Sequence, residues 1–470
     1  MKMLRLNFAL ALSLCFLVAP ALAETKLPSI FGENMVLQRD QELPVWGWDD
    51  AGREVTVTLG DSKATAKAAE DGKWQVKLPA MQAGGPHVLT VTGSSTVSFK
   101  EVLVGEVWLC SGQSNMEWVV NNSNNPKEEI ASAKHPKIRH IKIQHVPAET
   151  PQQDVASGGW QVCSPETVAN FTAVGYFFGR RLQEELDVPI GLIGSNWGGT
   201  RIEPWTPPVG FQKVPALKDI ADNLEKFPQK NRQGSINHQS ALALYNGMIH
   251  PLVPYAIRGA IWYQGESNNG EGMLYHEKMK ALIAGWRSVW SNEEMPFYFV
   301  QLAPFRYGGD VTRLAGIWEA QLATLSVPRT GMAVTTDIGH LTDIHPRNKQ
   351  DVGNRLALWA LAKNYGKDDI VYSGPLYKSM KVEGDKIRIS FESVGTGLAS
   401  RDDKPLTWFT IAGKDNNFVE ANAEIDGNEI IVSADSVKEP VAVRFGWNQE
   451  AEPNLMNKEG LPASPFRTDK

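Results

Sequence analysis

The chain has 470 residues, 42% of them hydrophobic, and 47 basic residues stand against 53 acidic ones for a net charge of −6. A length of that order predicts two to four domains with ample core. The mildly acidic balance argues against nucleic acid or an anionic membrane as partner.

Residues 1–23 read as an export signal: a short basic start with Lys2 and Arg5, a mostly apolar run from Leu6 to Val18, and Ala21-Leu22-Ala23 as a small-x-small cleavage site. The run is short for a membrane span, no later stretch offers one, and Leu14 before Cys15 argues against lipidation. An exported protein, periplasmic or extracellular, is expected. Cys110 and Cys163 remain after cleavage; export permits a bridge between them, and the other reading is two buried thiols. No second cysteine stands at ligand spacing, so a Cys/His metal site is not expected.

Residues 24–100 read as a β domain. Short strand-like runs (Leu43 to Trp48, Glu54 to Leu59, Trp74 to Leu78, His87 to Thr92, Thr96 to Phe99) are separated by turn signals such as Glu70-Asp71-Gly72-Lys73. Regular spacing of that kind predicts a sandwich. From 101 to 366 the pattern changes to alternating strands and helices. The strands are Leu103 to Leu109, Val188 to Gly194, Ile257 to Tyr263, Phe297 to Leu302 and Met332 to Thr336; helical spacing marks Val168 to Leu186 and Pro346 to Lys363. Apolar strands alternating with helices predict an α/β domain with a parallel sheet. Residues 367–470 return to β pattern, with Lys386 to Phe391 alternating cleanly and Asp426-Gly427-Asn428 as a hairpin turn before Glu429 to Ser433. This tail forms its own sandwich or completes the N-terminal one.

Four loops of the middle domain carry unusual polar or glycine clusters: Gly112-Gln113-Ser114-Asn115, Gly194 to Arg201, Tyr263-Gln264-Gly265-Glu266-Ser267-Asn268, and Asp343-Ile344-His345-Pro346. In a parallel sheet all four fall on the carboxyl rim, where ligands bind. The chemistry they fit is acyl transfer. Ser114, delivered by a tight turn after a buried strand, is the candidate nucleophile, and His345 is the base that takes its proton. Asp343 or Glu266 would orient the imidazole. The amides of Ser114 and Gly199 and the side chain of Gln264 are the candidate oxyanion donors. Competing readings make Asp343 to Pro346 a plain helix start with Pro346 in the first turn, or pair Asp337 with His340 instead. The turn is not the Gly-x-Ser-x-Gly elbow, because Met116 stands at the second glycine.

Together, Ser111-Gly-Gln-Ser-Asn-Met116, Trp197-Gly-Gly-Thr-Arg-Ile-Glu-Pro-Trp205, Leu244-Tyr-Asn-Gly-Met-Ile249, Gln264-Gly-Glu-Ser-Asn268 and Asp343-Ile-His-Pro-Arg347 resemble the sialate O-acetylesterase family of SGNH-type hydrolases, whose relatives include acetylxylan esterases. The resemblance implies a parallel sheet flanked by helices with β-rich regions on either side. It implies hydrolysis of O-acetyl esters on sugars, most directly 9-O-acetylated sialic acids, without metal or cofactor. Acetylated xylan is the alternative substrate, and a non-catalytic carbohydrate-binding protein the alternative function. It implies Ser114 as nucleophile, His345 as base and Ser114, Gly199 and Gln264 around the oxyanion. Asp343 lies two residues before the histidine where the wider pattern has three, so the acid stays open between Asp343 and Glu266. Asn115, Arg201 and Trp205 are the expected substrate contacts. Arg201 would pair with a substrate carboxylate or, on the plainer reading, with Glu203. Trp205, with Trp197 and Trp262, would stack on a sugar face.

Overall fold

The computed structural model describes residues 24–469, so the expected signal at 1–23 lies outside the described residues. Among those described, no helix is long and apolar enough to cross a membrane.

Seven strands open the chain: β1 (Val36–Gln38), β2 (Leu43–Trp48), β3 (Glu54–Leu59), β4 (Ser62–Lys67), β5 (Lys73–Leu78), β6 (Gly84–Thr92) and β7 (Thr96–Gly112). β2 and β5 form an antiparallel ribbon. It faces a sheet in which β3 pairs with β4 and β6, and β6 pairs with the first half of β7. Val45 and Val76 of the ribbon and Val55, Val57, Leu89 and Val91 of the sheet are all at most 5% exposed, so the two layers share one apolar interior. β7 does not stop at the end of this sandwich. Its 17 residues run on into the next sheet, and from Val102 to Gly112 every residue is buried. A strand covered on both faces reads as a continuous apolar run, while the half-exposed stretch before it alternates, which is why its two halves read in sequence as separate strands, Thr96 to Phe99 and Leu103 to Leu109.

The middle layer adds β8 (His135–Lys142), β9 (Gln161–Cys163), β10 (Ile190–Asn196), β11 (Gly259–Tyr263), β12 (Phe297–Val300) and β13 (Thr330–Ala333), in the order β13-β12-β11-β7-β10-β8-β9. Every pairing from β13 to β8 is parallel, and β9 closes the edge antiparallel. The helices that flank the sheet or bear on the site are α1 (Ser114–Glu117), α2 (Ala173–Leu186), α3 (Leu274–Val289), α4 (Arg313–Ala323) and α5 (Lys349–Asn364). Alternate strand residues face opposite ways. On one face Trp108 and Tyr298 stack together, and Trp108 also meets Phe178 of α2. On the other, Trp262 and Phe297 meet Trp286 of α3. The sheet is therefore covered on both sides, the expected α/β arrangement. Thr172 caps α2 by accepting from the Gly175 amide, and Asn348 caps α5 by accepting from Asp351.

The main C-terminal strands are β14 (Leu376–Glu383), β15 (Lys386–Glu392), β16 (Phe409–Ala412), β17 (Asn422–Asp426), β18 (Glu429–Ser433), β19 (Ala442–Phe445) and β20 (Phe466–Arg467). The sheet β14-β15-β18-β17 packs Ile387, Ile389, Ile430 and Val432 against Phe409, Ile411, Val443, Phe445 and Phe466 of the second sheet. These strands thus enclose a hydrophobic cluster of their own. They return to the middle layer through Arg467, which grips Glu319 of α4 at 2.9 and 3.0 Å, and through Gln301, which donates to Ser464 at 2.9 Å. Cys110 and Cys163 are free thiols, both buried, and burial raises the pKa of each; the unbridged reading is the one this fold contains.

Candidate active site

β7, β10 and β11 end side by side at the carboxyl rim, Gly112 pairing with Asn196 and with Tyr263. The turn after β7 requires glycine. Gly112 has φ +139°, and a Cβ there would lie 2.2 Å from the Tyr263 carbonyl oxygen. The sharp exit places Ser114 at the first position of α1, with an amide that no intrahelical acceptor meets.

The Ser114 hydroxyl donates to His345 Nε2 at 2.9 Å. On the other side of the ring, Asp343 Oδ1 lies 3.5 Å from Nδ1 and accepts the His345 backbone amide at 2.9 Å. Trp118 stacks on the imidazole at 5.0 Å and 14°. Burial, and then the ammonium of Lys349, lower the His345 pKa against the opposing pull of Asp343. A base kept neutral at neutral pH is ready to accept a proton.

Glu266, the alternative acid, sits elsewhere. Its Oε1 accepts from Asn115 Nδ2 at 2.5 Å, while its Oε2 is buried with no partner among the described residues. Burial raises its pKa. The same Asn115 amide donates to the Ile344 carbonyl at 3.0 Å, and Asn115 Oδ1 accepts from Lys349 Nζ at 2.6 Å. Asn115 is 1% exposed and Lys349 is fully buried. Asn115 is thus a structural tie holding the loop that carries His345, and not the expected substrate contact. Lys349 drew no notice in sequence because it lies inside the helical pattern that starts at Pro346. The one available signal is its place four residues after His345.

Gly198 backs onto the nucleophile: a Cβ there would sit 3.2 Å from Ser114 Cβ. Its amide donates to Glu117 Oε2 at 2.8 Å, fixing the orientation of the next peptide. Gly199 follows at φ +73° with open space above it. Burial pushes the Glu117 pKa up, but hydrogen bonds from His145 and Gly198 outweigh it and hold the carboxyl below its usual value. Trp197 lies between His145 at 4.3 Å and His238 at 4.7 Å, both rings stacked on it.

Three other expected contacts are engaged in the framework. Gln264 is fully buried and donates its two side-chain protons to Thr200 O at 3.1 Å and Asn268 Oδ1 at 2.8 Å, leaving neither for an oxyanion. Arg201 bonds to Glu203 at 2.9 Å, to Glu271 and to the Ser267 carbonyl at 3.2 Å; Lys278 completes a four-charge cluster with both acids. The pairing with Glu203 is the plainer of the two sequence readings. Trp205 is 0% exposed and donates to Thr200 Oγ1 at 3.0 Å, and Trp262 is 1% exposed, so neither can meet a sugar. Of the competing acid–histidine pair, Asp337 forms a fork with Arg355 at 2.6 and 2.7 Å. α5 begins at Lys349, beyond Pro346, so the Asp343 to Pro346 segment is a loop and not the first turn.

An SGNH-type sheet with serine, histidine and carboxylate gathered at its carboxyl rim is the layout of an ester-cleaving hydrolase. Residues 104–362 match the family described as carbohydrate esterase, sialic acid-specific acetylesterase. The sialate O-acetylesterase of Rattus norvegicus is 32% identical over 418 residues, covering 76% of this chain and 77% of the relative. That of Homo sapiens is 31% identical over 405 residues, covering 77% and 75%. The crystal structure of a carbohydrate acetylesterase from Xanthomonas citri superposes with a TM-score of 0.88 at 40% identity, covering 95% of this chain and all of that one. The chain belongs to the sialic acid-specific acetylesterase family, and it is a carbohydrate O-acetylesterase.

Proposed function

We propose that the protein removes O-acetyl groups from sialic acids through an acetyl-enzyme on Ser114. The observation that carries the mechanism is the 2.9 Å contact between Ser114 Oγ and His345 Nε2, with Asp343 across the ring. Ser114 Oγ attacks the acetyl carbonyl as its proton passes to Nε2. The oxyanion meets the amides of Ser114 and Gly199. His345 returns the proton to the departing sugar hydroxyl. Water, deprotonated by His345, then cleaves the acetyl-serine to acetate and free serine. Asp343 is the acid that stabilises the imidazolium, while Glu266 acts through Asn115 as an anchor.

The substrate class is supported by the family and by the relatives' names. A neutral acetylated sugar, as in xylan, is the second reading. It is favoured by Arg201, whose charge is already met by Glu203 and Glu271. The test is acetate release from 9-O-acetylated N-acetylneuraminic acid and from acetylated xylo-oligosaccharide, in parallel. Wild type is expected to turn over the sialate ester faster, and Ser114→Ala to lose at least about 10³-fold on both. Residual activity near wild type in Ser114→Ala would remove the serine mechanism; preference for the xylan ester would leave the mechanism and replace the substrate.

A further inference from the structure

A cleft of about 340 Å³ lies between the N-terminal sandwich and the middle layer, and none of its lining residues belongs to the loops that carry Ser114, Gly199 or His345. Its size is within the range of small-molecule sites. One wall is a face of the β2–β5 ribbon. The register sets Trp46 opposite Gln75 and Trp48 opposite Lys73. Alternate residues share a face, so two indoles, an amide and an ammonium stand together there. Gln152 and His250 border the other side, joined by a 2.9 Å contact between His250 Nδ1 and the Gln152 carbonyl.

Trp74, between Lys73 and Gln75, turns the other way, into the sandwich interior with Val45 and Val76. A further observation points to the kind of ligand: the charge is one-sided. Lys67 and Lys73 line the cleft and no Asp or Glu does, in a chain of net charge −6. Lys73 touches only the exposed Asp71, at 3.1 Å, a pairing that solvent screens. Flat aromatic faces suit the C–H face of a pyranose ring, amide groups suit its hydroxyls, and solvent-facing ammonium groups suit a carboxylate.

We propose that this cleft is a second saccharide site, which holds an acidic sugar with its ring on Trp46 and Trp48 and its carboxylate toward Lys67 and Lys73. The proposal rests on the protein's being a carbohydrate esterase and is independent of which residue is the nucleophile. The test uses the full chain carrying Ser114→Ala, titrated by calorimetry with non-acetylated 3′-sialyllactose and, separately, with lactose. Saturable binding of sialyllactose is expected, with lactose weaker by about tenfold or more, and a loss of about tenfold in Trp48→Ala. Lys67→Met with Lys73→Met is expected to abolish the preference for the acidic sugar. Hydrolysis of a small aryl acetate by Trp48→Ala in the otherwise native chain checks folding; it is expected at the wild-type rate, and Trp48→Phe is used in its place if it is not. Absence of saturable binding, equal binding of lactose, or unchanged affinity in the Trp48 variant overturns the second site. The aryl acetate rates report on ester cleavage separately, so the two readings fail by different measurements.

Discussion

Lys349 is a fully buried lysine behind the Ser114–His345 pair, and its replacement by methionine gives a quantitative test of that placement. Nζ donates to Asn115 Oδ1 at 2.6 Å and lies 5.3 Å from the Tyr263 ring and 5.7 Å from that of Trp118. Burial lowers its pKa from 10.5 to about 7, against the pull of Glu266 and Asp343. Between those two values the unfolded chain holds a proton that the folded chain has released, so stability rises with pH. The slope approaches about 1.4 kcal/mol per pH unit, and the gain from pH 7 to pH 9 is roughly 2 kcal/mol. Lys349→Met removes this gain. Urea midpoints measured from pH 7 to pH 9 should climb more in wild type than in the variant, the difference equalling that gain once multiplied by the m-value. The two curves should converge at the alkaline end, where the native lysine is neutral. Parallel curves would show that Lys349 keeps an ordinary pKa and is solvated, which would refute the buried network. Because the ammonium also lowers the His345 pKa, the acid limb of kcat/KM should move to higher pH in the same variant.

Three further outcomes follow from geometry already given. Asp343→Asn removes the group that raises the His345 pKa, so the acid limb of kcat/KM should shift to lower pH while kcat falls by at least about tenfold; an unmoved limb would assign the acid elsewhere. Glu106 is 0% exposed and held by Arg39 at 2.6 Å and by Arg258 at 2.7 Å, and these two arginines outweigh burial to keep its pKa low. Its contribution is present above about pH 4.5 and lost as pH falls below it; Glu106→Gln leaves Arg39 and Arg258 only the longer contacts to Asp40, at 3.5 and 3.8 Å, and should cost about 1–3 kcal/mol at pH 7 by chemical denaturation, with a shallower acid transition. Arg201→Met should lower stability by about 1–3 kcal/mol without raising KM for a sialate ester relative to a xylan ester. A selective rise in KM for the sialate would place the guanidinium on substrate.

The candidate site at the carboxyl rim was legible in the sequence because its residues are dictated by backbone needs as well as by chemistry. A glycine at 112, where a Cβ would strike the Tyr263 carbonyl, and Gly198-Gly199 beside Ser114 leave marks that survive without coordinates. The loops bearing Ser114, Asp343 and His345 could be picked out for that reason, and the fold brings these three side chains together. What stayed hidden was burial. Gln264, Arg201 and Trp205 have side chains suited to a ligand, and only the fold reveals that Thr200, Glu203 and Glu271 already occupy them. The strands were legible where they are apolar on both faces or alternate cleanly with large apolar residues, as Lys386 to Phe391 does. β4, Ser-Lys-Ala-Thr-Ala-Lys, and β8, with Arg139 and His140 buried among isoleucines, lack that pattern and went unseen. Helices α3 and α4 were likewise missed; their tryptophans, Trp286 and Trp318, are committed to packing and to backbone carbonyls.

β7 is a single strand that starts as part of the N-terminal sandwich and ends two residues before Ser114. Where its two halves meet, β7 carries one left-handed residue, Glu101 at φ +55°. Immediately beyond it Val102 to Gly105 pair with β1 and β6, and from Glu106 onward the strand pairs with β10, so a swing of the sandwich at that junction would have to break the pairings of Val102 to Gly105. The span from Val102 to Gly112 is roughly 30 Å of extended chain, and those pairings hold it as a spacer between the sandwich and the turn that carries Ser114.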